Sequence, residues 1–100
     1  MPLTCPACNK PGQTEAACAR CGCDLSRLHT VLDAARSRLS AARAALEVCD
    51  WPGALAQAER SWRLCHTVAS ARVAFLAAAG AGDVAGAATW HRRAHAALAA

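Results

Sequence analysis

The sequence predicts a mainly α-helical fold behind a small, irregular, cysteine-rich N-terminal segment. Three observations carry this expectation. Five of the seven cysteines (Cys5, Cys8, Cys18, Cys21 and Cys23) fall within residues 5–25. The stretch 1–23 also holds three of the four prolines and two of the six glycines. From Asp24 onward the composition changes, with no Pro or Gly between 24 and 51 and none between 54 and 79. Apolar residues then recur in steps of three and four, the period of one helix face. We therefore divide the chain into residues 1–24 and an α-helical region, 25–100.

A unit as short as the first of these cannot bury enough surface to fold alone. Below about 40 residues a metal or disulfides are usually needed. The cysteine spacing supplies the means: Cys5-x2-Cys8-x9-Cys18-x2-Cys21. Two residues between thiols let both sulfurs of a pair reach one ion, and two such pairs complete a tetrahedron. Asn9 and Gly22 follow the second cysteine of each pair, and both residue types tolerate positive φ. Pro11-Gly12 suits a type II turn that folds the spacer back. The "CPAC" and "CARCG" motifs resemble the short zinc-ribbon family over about residues 3–25. The resemblance implies one structural Zn²⁺ held by Cys5, Cys8, Cys18 and Cys21. Rubredoxin-like iron, an iron–sulfur cluster or disulfides are alternatives for the same thiols.

Cys23 is left over. It reads as a small residue where the metal unit meets the first helix, or as a spare thiol able to act in a zinc/thiol redox switch. Cys49 and Cys65 read as small buried apolar residues.

The first helical segment spans about Ser26 to Cys49, with its stripe at Leu28, Leu32, Ala35, Leu39, Ala42 and Leu46. Asp24 or Ser26 suits the cap. "CDWPGAL" breaks it, with Asp50 as N-cap and Pro52 in the first turn. The second stripe runs Leu55, Ala58, Trp62, Cys65, Ala69, Arg72 or Val73, and Leu76. Residues 53–79 form one long helix, or two with a bend near 65–69. At "GAGD", Gly80 and Gly82 suit left-handed helix ends and Asp83 the next cap. The third segment, about Val84 to Leu98, turns Ala87, Ala94 and Leu98 inward and Trp90 partly so.

"DWPGALAQA" begins at Asp50 and "DVAGAATWH" at Asp83, an offset of 33. This resembles the tetratricopeptide repeat, whose helix pairs recur at about 34 residues. Gly82-Asp83 matches that family's inter-helix turn, and Cys49-Asp50 departs from it. The resemblance covers roughly residues 30–98 and implies a protein-binding helical hairpin. Simple packing of three helical segments is the alternative.

The formal charge of +4 is mild. Four thiolates around one divalent ion would lower it by two, which argues against strong nucleic-acid attraction. No 20-residue apolar run and no secretory leader is visible in the opening "MPLTC". A soluble cytoplasmic protein is expected, without membrane contact. Seven acidic residues, no nucleophile motif and no phosphate loop argue against an enzyme or a small-molecule substrate. His91 and His95, at i and i+4, could share a metal only with a third ligand, and Arg92 and Arg93 between them repel cations. His29 and His66 read as partnerless boundary residues. The expected role is a protein-binding adaptor, with a nucleic-acid-binding accessory protein as the rival.

Overall fold

The computed structural model describes residues 4–99. Four helices follow the cysteine-rich segment: α1 (Ser26–Glu47), α2 (Trp51–Leu64), α3 (Val68–Gly80) and α4 (Val84–Ala99). The fold is mainly α. No extended strand occurs among the described residues, and an isolated antiparallel bridge joins Ala17 to Asp24. No described helix is long and apolar enough to cross a membrane. The chain forms two compact units whose boundary falls inside α1, between Asp33 and Ala34.

The second unit is a helical stack in which α2 packs on α3 and α3 on α4. Ala42 of α1 shares a buried cluster with Ala58 of α2, and Ser61 Oγ of α2 donates to the Ala35 carbonyl of α1 at 2.8 Å. Six of the eight buried residues that cluster at the unit's centre are alanines: Ala42, Ala58, Ala71, Ala74, Ala78 and Ala87. Short side chains let helix axes approach closely. Each alanine methyl contributes only about 0.8 kcal/mol when buried. Trp90, 5 % exposed, is the large member of this core, and truncating a buried tryptophan costs about 3–5 kcal/mol. Trp62 meets its edge at 5.7 Å.

The second predicted segment is two helices, with residues 65–67 between them. The cause is a cap that periodicity does not reveal. Thr67 Oγ1 accepts from the Ser70 amide at 3.1 Å and donates to Ser70 Oγ at 2.9 Å. The break shifts the helical phase. In α3 the buried face is Ser70, Ala71, Val73, Ala74, Ala77 and Ala78, while Leu76 of the expected stripe lies outside. In α4 the expectation is partly reversed: Trp90 is buried and Leu98 exposed. In α1, Ala35 and Ala42 are buried, but Leu28 is exposed.

The recurrence of "DWPGALAQA" as "DVAGAATWH" is a repeat of backbone geometry. At the end of α1 the Cys49 amide donates to Leu46 O and the Asp50 amide to Ala45 O, at 3.0 and 2.9 Å. At the end of α3 the Gly82 amide donates to Ala79 O and the Asp83 amide to Ala78 O, at 3.1 and 2.9 Å. Both are left-handed helix stops of the Schellman type. The next helix is capped alike each time. Asp50 Oδ1 accepts from the Gly53 amide at 3.1 Å, and Asp83 Oδ1 from the Gly86 amide at 3.0 Å. A Cβ at either glycine would collide with the capping carboxylate.

Two expectations at these turns are corrected. Gly80 does not adopt positive φ; Trp51 lies on its Cα, and a Cβ there would come within 2.6 Å of the indole. Cys49 is exposed rather than buried because it occupies the stop itself, at φ 57°. Cys65 is half-buried, at the end of α2.

Cys49 thus holds the place in the first stop that Gly82, at φ 79°, holds in the second. A β-carbon in this region costs about 1–2 kcal/mol, partly offset by glycine's extra unfolded-state entropy. Cys49→Gly is expected to stabilise the helical unit by about 0.5–1 kcal/mol in urea unfolding, with Cys49→Ala giving no comparable gain. Gly82→Ala has open space around its new methyl, so its expected loss of about 1 kcal/mol isolates the backbone cost.

Candidate metal centre

Cys5, Cys8, Cys18 and Cys21 converge, with all four sulfurs within 4.8 Å of one another. Cys5 Sγ lies 3.6 Å from Cys21 Sγ, and Cys8 Sγ 3.5 Å from Cys18 Sγ. A tetrahedral ion with metal–sulfur bonds near 2.3 Å needs sulfur–sulfur edges of about 3.8 Å. The arrangement can therefore hold one metal ion. The donor set is closed, since four thiolates fill a tetrahedron and leave no position for water or substrate.

Two nearly identical turns build the site, one opening at Cys5 and the other at Cys18. In the first, the Cys5 amide donates to Lys10 O at 3.0 Å and the Asn9 amide to Cys5 O at 2.8 Å. In the second, the Cys18 amide donates to Cys23 O and the Gly22 amide to Cys18 O, at 2.8 and 2.9 Å. Asn9 and Gly22 take the positive φ that the turns require, 61° and 75°. Cys23 therefore matches Lys10: its carbonyl closes the turn, and its thiol stands outside the four-sulfur group. Burial first, then the charge of Cys5, pushes the Cys23 thiol up.

The turns aim backbone amides at sulfur. Amides of Cys8 and Ala7 lower the Cys5 thiol against the opposing effect of desolvation. Amides of Cys21 and Arg20 bring Cys18 down to about 6, and the Arg20 amide lies 3.4 Å from its Sγ. Cys21 moves the other way. The Cys23 amide pulls it down, but desolvation and hydrogen bonds with Cys5, Cys18 and Cys8 prevail, and it is pushed up to about 12. Without a cation the group cannot carry four negative charges; a cation reverses that balance and binds as protons leave.

Three residues that the motifs do not announce hold this site. Gln13, 3 % exposed, donates from Nε2 to Lys10 O and accepts at Oε1 from the Ala19 amide, each at 3.3 Å. It joins the two turns, since Lys10 closes the first and Ala19 lies inside the second. Leu25 is fully buried against Cys5 and Cys18, with its amide on Ala16 O at 2.6 Å. His29 is not partnerless. Its Nε2 donates to Glu15 O at 2.7 Å, fixing the proton on that nitrogen. An apolar residue just before a helix and a glutamine in the spacer were the available signals. Asp24 takes the Ser26 amide at 2.9 Å, as the cap expectation required, and that bond lowers its carboxyl.

His91 and His95 face each other with ring centroids 6.3 Å apart, and no third ligand side chain among the described residues joins them. His66 stacks on Trp62 at 4.1 Å, which corrects its reading as partnerless.

Gln13→Ala removes the bridge between the turns while keeping all four thiols. Outer-shell changes of this kind weaken metal binding about 10–100-fold. Competition with a calibrated chelator should show a loss near the lower end of that range, and wild-type affinity in the variant would refute the role assigned to Gln13.

No protein-family model, curated protein or solved structure gives a match to this chain.

Proposed function

We propose that the chain is a non-enzymatic, cytoplasmic protein-interaction module, with one structural Zn²⁺ in a ribbon-like N-terminal unit and a tetratricopeptide-like helical unit. The recurrence of turn, stop and cap, first at Cys49-Asp50 and again at Gly82-Asp83, carries this reading. Helix pairs repeated at such a period stack into scaffolds that present surfaces to other proteins. Zinc is favoured because four cysteine thiolates at tetrahedral spacing suit it, and it needs no redox partner. A closed coordination shell supports a structural rather than a catalytic ion.

The nucleic-acid alternative needs exposed aromatic faces beside its arginines. Trp62 already stacks on His66, and Trp90 is buried beneath Arg93, whose guanidinium lies 4.5 Å above the ring. The thiol-switch alternative needs a reactive Cys23, and burial works against its thiolate.

Affinity capture with the zinc-loaded chain from its native host, read by mass spectrometry, tests the proposal. A specific protein partner is expected, with no salt-dependent shift of DNA or RNA. A strong shift at low salt without a protein partner would overturn it. Chelation tests the metal's role separately. Stripping the ion should collapse the amide resonances of residues 5–25 while the helical unit, with its own core, keeps its circular dichroism. A cysteine-rich unit that kept its dispersed spectrum after complete removal would show that the metal is dispensable.

A further inference from the structure

The helical unit has an open groove of about 330 Å³ between α3 and α4. Phe75, Leu76 and Leu98 supply its apolar side, and Arg72, His91 and His95 its polar side. Leu76 and Leu98 are 52 % and 64 % exposed, although each belongs to a helix whose other face is packed. No described residue of this unit covers them.

We propose that this groove binds an acidic amphipathic helix of a partner protein. The inference rests on the interaction reading above and names the surface and the chemistry of its occupant. Charge selects the partner. The groove's lining includes Arg72 and no aspartate or glutamate, Arg92 follows His91 on α4 beside it, and neither helix contains an acidic residue. A second copy would set these arginines against one another, whereas an acidic segment meets them with opposite charge. Shape selects a helix. Two packed helices offer no strand edge for backbone pairing but leave a trough for another helix. From His91 to Leu98 the groove runs along two turns of α4, about 10 Å at 1.5 Å per residue. That length accommodates anchors at i, i+3 or i+4, and i+7.

The test uses the metal-loaded full chain and a labelled peptide of about 15 residues, with leucines at i, i+3, i+4 and i+7 and flanking glutamates. Saturable anisotropy is expected, weakened about tenfold or more by Leu76→Gln and by Arg72→Glu. Both positions are exposed, so circular dichroism should show both variants folded. The same peptide with lysines for glutamates should not bind. Absence of saturable binding, equal binding of the lysine peptide, or insensitivity to both substitutions overturns the assignment. Binding to anionic vesicles without peptide binding also overturns it, as does dimerisation that Leu76→Gln abolishes without peptide binding. Partner recovery from the host that is unchanged by the Leu76→Gln/Arg72→Glu pair overturns the groove while leaving the interaction reading intact.

Discussion

Four sulfur atoms within 4.8 Å of one another cannot all be thiolates unless a cation sits among them. The N-terminal unit depends on that constraint. Its apolar content is slight: Leu25 is the largest fully buried side chain among the described residues, and it packs on Cys5 and Cys18. One leucine yields about 1.5–3 kcal/mol on burial, while ordering each residue costs about 1–2 kcal/mol. Coordination of an ion by the four thiols would supply what burial does not. Gln13 holds the two turns in register, and Leu25 and His29 tie the turns to the first turns of α1.

The helical unit meets a milder form of the same shortage. Alanine fills most of its core, so close approach of backbones replaces interlocked large side chains. Close approach requires that backbone polar groups at helix ends be satisfied without bulky intervening groups. Asp50, Thr67 and Asp83 do this at the starts of α2, α3 and α4. Among the described residues, no buried side-chain polar atom is left without a partner. With small residues spent on packing, the large apolar residues Leu76 and Leu98 remain outside, on one side of α3 and α4.

How much of this was legible in the sequence depends on the kind of signal. The convergence of Cys5, Cys8, Cys18 and Cys21 was legible because metal coordination demands residue types at fixed spacing. Helical content was legible from periodicity, and the caps at Asp50 and Asp83 from their residue types. The break at 65–67 was legible only as one of two alternatives, a bend near 65–69, because no glycine or proline marks it. Thr67 and Ser70 make it between them, and such pairs also occur inside helices. Once that break shifts the phase, one stripe extended from Leu55 still meets buried Val73 but wrongly turns Leu76 inward. Gln13 and His29 bond to backbone carbonyls or amides distant in sequence, and no side-chain pattern encodes that. The positive φ of Cys49 could have been read from its alignment with Gly82, since the aspartates and glycines that follow also align.

Both units repeat a backbone conformation more faithfully than a sequence. The metal turns pair Asn9 with Gly22, and the helix stops pair Cys49 with Gly82. In each pair one position is glycine and the other an L-residue at positive φ. Asparagine enters that region at modest cost because its side chain bonds locally. Cysteine has no such compensation, so the strain at Cys49 must be borne by the fold around it. The Asp50 amide bond to Ala45 O and the Asp50 cap on α2 are the contacts that hold the chain there. Two of the three thiols outside the four-sulfur group then have a common explanation. Cys23 and Cys49 both occupy positions defined by what the main chain does, one as a carbonyl that closes a turn and one as the residue that reverses it.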